Sequence, residues 1–182
     1  MPRESLRNYA QRMAQRLPAE VDQWVLAGHS FGGILAQEMT AFLPVQKVFL
    51  ISSIQDAEEN PWFFKILSTS GLHRMITRRF ILTSFPFWGS SHGYDTPAAK
   101  ALFVDMVQGQ SNSYLQWAMY QLSRWRGLET AVPIYRIHGT KDQAFPLRYL
   151  RNIDNLLPDG DHFLVWKEAA LVSRWMIEIL QK

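Results

Sequence analysis

The chain has no cysteine among its 182 residues, so neither a disulfide framework nor a thiolate metal site is open to it, and a reducing compartment is expected. Charge is sparse: Asp, Glu, Lys and Arg make up 19% of the residues, with a formal net charge of only +3. The arginines are scattered rather than massed on one segment, which argues against a nucleic-acid partner. No apolar run approaches a membrane span, and the opening Met1-Pro2-Arg3-Glu4-Ser5 leads into a polar helix without the apolar stretch of a secretory signal. Stable membrane insertion is therefore not expected, and a cytoplasmic location is the default. No His, Asp and Glu cluster shows metal-ligand spacing, so neither a metal nor another cofactor is expected. What the chain does have is a 47% apolar fraction, which suits a single globular domain with a substantial core.

The most informative segment is Gly28-His29-Ser30-Phe31-Gly32-Gly33, directly after the apolar run Trp24-Val25-Leu26-Ala27 and directly before the helix-like stretch Ile34 to Leu43. That order describes a strand, a tight turn and a helix, with Ser30 at the apex. A side chain there points away from the sheet, and the helix N-terminus beside it offers backbone N–H groups to a developing negative charge. Gly28 and Gly32, two residues either side of Ser30, are the positions where a β-carbon is expected to collide.

Around this segment, helices and apolar runs alternate. Leu6, Tyr9, Ala10, Met13 and Leu17 recur at helical spacing with Arg3, Arg7, Arg12 and Arg16 on other faces, and Pro18 is read as the end of that helix. The strand before Ser30 is placed at about Gln23 to Ala27 and the helix after it at about Gly32 to Leu43. Lys47 to Ser53 and Val132 to His138 read as strands buried on both faces, Ile153 to Leu157 as a weak last strand, and Phe163 to Leu180 as a terminal helix. The fold class is therefore α/β, a parallel sheet with helices on both faces.

Residues 54–127 break that alternation and are too long for a simple crossover, which predicts an inserted helical cap over the strand ends. Its second half, Ala98 to Val107 and Tyr114 to Trp125, is helical in pattern; its first half is rich in aromatics, prolines and glycines. Most of these aromatics are expected to pack the cap onto the body. Trp62, Phe63, Phe87 and Trp88, with His29, are the candidates for lining an apolar substrate pocket.

A serine hydroxyl is a poor nucleophile near neutral pH, so Ser30 needs a base and the base needs an orienting acid. Of the five histidines, His162 in Asp161-His162-Phe163 lies on a loop past the last strand, where it can reach the C-terminal edge of the sheet. His138 ends a strand and is expected to be buried with a local hydrogen bond. His29 shapes the pocket or fills space, and His73 and His92 are surface or structural residues of the cap. For the acid, Asp142 follows the strand that ends at His138, on the side where open α/β sheets place their ligands. Asp142 could instead cap the turn before Phe145-Pro146, and Asp159 and Asp161 compete for the role.

The elbow Gly28 to Gly33, the strand-end aspartate in His138-Gly139-Thr140-Lys141-Asp142 and the late histidine in Gly160-Asp161-His162-Phe163 together resemble the α/β-hydrolase superfamily, in particular its small esterase-type members. The resemblance implies Ser30 as nucleophile, His162 as general base and acid, Asp142 as orienting carboxylate and the Phe31 N–H as an oxyanion donor. Members usually carry several strands before the elbow strand, and a His-Gly type turn after one of them supplies a second oxyanion donor. About 22 residues precede the elbow strand here, they read as helical, and no such turn is among them. The fold is thus expected to be an N-terminally shortened α/β-hydrolase domain, either a fragment or shortened product or a chain that finds its second donor elsewhere. Losing one such donor typically costs roughly 10²- to 10³-fold in rate. The shortening also leaves one side of the elbow strand open, so self-association through the Trp24 to Ala27 edge is expected.

Two functions follow. One is a serine hydrolase cleaving a small-molecule ester or thioester with an apolar group through an acyl-enzyme on Ser30. The other is an impaired hydrolase-like fragment, a binding module or gene remnant that retains the three residues without the activity.

Overall fold

In the computed structural model, residues 4–181 are described; Arg3, assigned above to a polar face of the first helix, lies outside them. Ser5 starts helix α1 (Leu6–Ala14), its hydroxyl accepting the Asn8 N–H at 3.2 Å. Leu6, Ala10 and Ala14, four residues apart, make its buried stripe. The helix ends at Ala14 rather than at Pro18. In a continuing helix the Pro18 ring would strike the carbonyl of residue 14, so the helix stops a turn before the proline.

Strand β1 (Trp24–His29), helix α2 (Phe31–Met39) and strand β2 (Val45–Ile51) form the first strand-helix-strand unit. Four helices follow: α3 (Trp62–Thr69), α4 (Arg78–Trp88), α5 (Pro97–Gln108) and α6 (Asn112–Arg124). The aromatic half of this segment is thus helical too, which the prolines obscured in the sequence. Pro61 is the N-cap of α3, Pro97 opens α5 where its missing N–H costs nothing, and Pro86 falls in the last turn of α4. The chain then returns to strand β3 (Ile134–Gly139), strand β4 (Asn155–Leu157) and helices α7 (Leu164–Lys167) and α8 (Ala169–Leu180). The expected single helix from Phe163 to Leu180 is broken at Glu168, at φ −115° and ψ 31°. Lys167 ties the short first piece to Asp161 and Asp95, while α8 packs on the sheet.

The four strands are all parallel, in the order β1-β2-β3-β4. Side chains of β2 alternate between two cores, as the pleat requires. Val48 and Leu50 pack with Ala36 of α2, and Phe49 and Ile51 with Val172, Trp175 and Ile179 of α8. Helices on both faces explain why β2 reads as an unbroken apolar run. β1 differs: among the described residues no strand pairs with its other side, and Val25 and Ala27 are exposed.

A third core lies at the C-terminal rim of the sheet, where Leu6, Ile34, Ile54, Trp117, Leu122 and Phe145 meet, joining α1, α2 and α6. Two indoles fasten α6 there: Trp117 Nε1 donates to the Glu4 carbonyl at 2.7 Å and Trp125 Nε1 to Glu38 at 2.8 Å. A fourth cluster of Phe85, Tyr94, Ala99 and Phe163 packs α4 and α5 against the residue after His162. Beneath the rim, Arg136 of β3 and Glu59 form a fully buried pair at 2.6 Å. Glu59 also accepts the N–H groups of Gln55 and Arg151, tying β3, the chain after β2 and the β3–β4 connection together.

Candidate active site

β1 ends at His29 and α2 begins at Phe31, so Ser30 alone makes the turn, at φ 52° and ψ −124°. Such a conformation costs a non-glycine residue about 1–3 kcal/mol and persists only where the surroundings over-determine it. Here the Ser30 N–H donates to the Ile51 carbonyl at 3.0 Å, and the Ser30 carbonyl accepts from the Ser53 hydroxyl at 2.7 Å and the Gly33 N–H at 3.0 Å. The turn needs Gly28, where a Cβ would fall 2.2 Å from the Gly32 carbonyl oxygen. Gly32 does not share that need, contrary to the sequence expectation, because its Cβ would meet nothing within 4 Å. The crowded helical glycine is Gly33, which α2 turns toward Ser53 at the exit of β2.

Asp142 stands on the turn after β3, and His162 on the loop after β4. The two loops run backbone against backbone: Lys141 N–H donates to the Gly160 carbonyl at 2.8 Å, and a Cβ on Gly139 would sit 2.2 Å from that same oxygen. This approach brings the imidazole to the carboxylate. His162 Nδ1 lies 2.8 Å from Asp142 Oδ2, and His162 Nε2 lies 3.0 Å from Ser30 Oγ. A carboxylate only accepts, so Nδ1 carries the proton of the first bond and Nε2 faces the serine hydroxyl.

Asp142 fills both roles that its sequence position allowed. Oδ1 accepts the Ala144 and Phe145 N–H groups at 2.8 and 2.9 Å, closing the turn, while Oδ2 faces His162. Burial pushes this carboxyl upward, but the charge and hydrogen bond of His162, with His138 and the Phe145 N–H, outweigh it and hold it below the ordinary carboxylate value. The competing carboxylates are spent elsewhere: Asp159 pairs with Lys141 at 2.7 Å, and Asp161 accepts from the Phe163 N–H and Lys167.

Two further imidazoles brace this pair. His29 Nε2 donates to the His162 carbonyl at 2.7 Å with the two rings 4.9 Å apart, and burial, aided by His162, lowers His29 to about 4. His138 Nε2 donates to the Phe145 carbonyl at 2.9 Å and lies 3.3 Å from Asp142 Oδ2; burial lowers it too. His73 and His92 hold backbone carbonyls of Leu67 and Trp88.

Beside Ser30 lies a cavity of about 200 Å³ whose walls include Phe31, Phe64, Met119, Leu122 and Phe145. Larger clefts, of about 700 and 480 Å³, lie at Arg126 and Glu129 and at His73 and Tyr120, and neither is lined by Ser30. Among the described residues, no group of three or more His, Asp or Glu side chains could hold a metal ion.

A family model for the alpha/beta hydrolase family matches residues 2–175. The chain belongs to that family. Solved structures with the same fold include a thermophilic esterase, at TM-score 0.69 and 18% identity over 98% of this chain and 73% of that one. An esterase from Exiguobacterium antarcticum matches at TM-score 0.69 and 15% identity, over 98% of this chain and 74% of its own. A hydrolase from Pseudomonas aeruginosa matches at TM-score 0.73 and 14% identity, over 98% and 72%. At these identities the likeness establishes the alpha/beta hydrolase fold alone. No curated relative matches the sequence.

Within this alpha/beta hydrolase, Ser30, Asp142 and His162 come together and the Phe31 N–H opens α2 beside Ser30, where it has no acceptor within the helix. The aromatic residues selected from the sequence do not line the cavity. Trp62 and Phe87 are exposed, at 60% and 89%, Phe63 packs between Trp62 and Phe64, and Trp88 joins the Phe85, Tyr94 and Phe103 cluster. His29 braces the His162 backbone instead of facing the cavity. Phe64, one residue on from Phe63, is the lining aromatic of α3, because successive residues of a helix face different sides. The α6 residues that line the wall, Leu115, Ala118, Met119 and Leu122, are three and four residues apart, a spacing that describes any apolar helix face and so does not mark a cavity in the sequence.

Proposed function

We propose that this chain is a serine hydrolase that cleaves a small-molecule ester or thioester with an apolar group through an acyl-enzyme on Ser30. The observation that carries this reading is the continuous chain of hydrogen bonds from Asp142 through His162 to Ser30. The Ser30 Oγ attacks the carbonyl carbon as its proton passes to His162 Nε2, and Asp142 stabilises the imidazolium so formed. The tetrahedral oxyanion takes the Phe31 N–H and the positive end of α2. Its collapse breaks the bond to the leaving alcohol or thiol, which takes the proton from Nε2. A water then delivers a proton to Nε2 and its oxygen to the acyl carbon, and collapse of the second intermediate releases the acid and restores the Ser30 hydroxyl. No other reactant is needed.

The test is labelling by a fluorophosphonate. The wild type is expected to label and Ser30→Ala not to, while Asp142→Asn should lower kcat by on the order of 10⁴ because the imidazole loses its tautomer control. Absence of label on the folded wild type would favour the non-catalytic binding module. Near-full activity in Asp142→Asn would remove Asp142 from the mechanism. As a further partner we propose a second copy of the chain, paired along the side of β1 that no strand among the described residues occupies. That strand, Trp24–His29, has no Asp, Glu, Lys or Arg to repel its own copy.

A further inference from the structure

The cavity beside Ser30 is defined by one helix face. Leu115, Ala118, Met119 and Leu122 of α6 all line it, at positions i, i+3, i+4 and i+7, a stripe running about 10 Å along the helix axis. Phe31, Phe64 and Phe145 stand as further aromatic walls, and Ile76 and Ile81 bring in the chain around the start of α4. Among the described residues, no polar or ionisable side chain other than the Ser30 hydroxyl lines this space. A charged or hydroxylated group placed there would leave water without gaining a partner, at a cost of several-fold to many-fold in binding.

We infer that this cavity receives the acyl group of the substrate, as an uncharged apolar chain of about six to eight carbons; the inference rests on Ser30 being the nucleophile. The size follows from the walls. At roughly 30 Å³ for a group the size of one water or methylene, about 200 Å³ holds some six carbons, and the α6 stripe allows a chain slightly longer. Within that length each added methylene is buried against apolar side chains and strengthens binding about four-fold. A longer chain passes the end of the stripe and gains little. The position where added bulk would shorten this space is Ala118, whose small side chain lies in the middle of the stripe between Leu115 and Leu122. Met119 beside it is the large flexible side chain whose removal would enlarge the same space.

The experiment has two arms. In the first, kcat/KM is measured for p-nitrophenyl esters from two to twelve acyl carbons. The wild type is expected to rise about four-fold per methylene to six or eight carbons and then level off. Ala118→Phe should cut the octanoyl-to-acetyl ratio at least ten-fold, and Met119→Ala should move the plateau two or more carbons longer. In the second arm, neutral 2-alkanones are titrated into Ser30→Ala by calorimetry, where the same length dependence should appear as affinity, with no reaction needed. Esters hydrolysed with no gain from chain length, or 2-octanone binding no tighter than 2-butanone, would overturn the acyl-chain assignment and leave the hydrolase reading standing. Tight, length-dependent ketone binding without fluorophosphonate labelling would do the reverse. If Ala118→Phe fails to fold, the wild-type profile and Met119→Ala still decide the matter.

Discussion

At the scale of single residues, the site spends three imidazoles on one hydrogen-bond chain. His162 joins Asp142 to Ser30, His29 holds the His162 backbone, and His138 stands 3.3 Å from the same Asp142 oxygen, Oδ2, that faces His162, while donating to the Phe145 carbonyl. His29 has a measurable consequence. Burial holds it at about 4, against an ordinary value of 6.5, so between those pH values the unfolded chain binds more protons than the folded one and stability rises with pH. Its contribution is complete above about pH 6.5 and disappears as the solution is acidified toward 4. In urea unfolding, wild type should lose about 3 kcal/mol more than His29→Gln between pH 7 and pH 4. The depressed Asp142 carboxyl adds its own acid loss, by the same sign, to both proteins and cancels in the comparison. Equal losses would show that the buried imidazole is not the acid-sensitive group.

At the scale of elements, the site depends on two places where backbones touch. The first is the elbow, where Gly28 lies against the carbonyl of Gly32; the second is the crossing of Gly139 with Gly160, which sets the Asp142 turn beside the His162 loop. The elbow glycines are unequal, and thermal unfolding can show it. Gly32→Ala should raise stability by about 0.5–1 kcal/mol, since it adds helix propensity in open space. Gly28→Ala should lower it by at least about 2 kcal/mol, because the new methyl meets main chain that cannot give. Equal effects at the two positions would contradict this division of roles.

At the scale of the whole molecule, the sheet is covered on both faces, and among the described residues no strand pairs with the outer side of β1, where Val25 is 37% exposed. If copies pair along that side, sedimentation velocity should show concentration-dependent association that Val25→Lys weakens, since a charge on an edge strand disfavours pairing. A wild type that sediments as a monomer at every concentration would exclude this contact. The elbow, the strand-end aspartate and the late histidine were legible because each rests on short-range rules: apolar runs, turn glycines, and the placing of polar residues just past strand ends. Arg136 was not, since a lone arginine inside an apolar strand shows nothing of Glu59, which the chain after the neighbouring strand β2 brings to it from far away in sequence. The cavity wall was hidden for the same reason. Trp62 and Phe87 are as aromatic as Phe64, and only the packing of α3, α4 and α6 decided that Phe64 would face Ser30. By itself, then, the sequence determined the α/β class, the chain order of Ser30, Asp142 and His162 just past strand ends, and the turn that presents Ser30, because backbone sterics and hydrophobic periodicity act between near neighbours. The tertiary structure alone decided that the three side chains meet within hydrogen-bond distance and which side chains surround them, because those distances depend on how remote segments pack against one another.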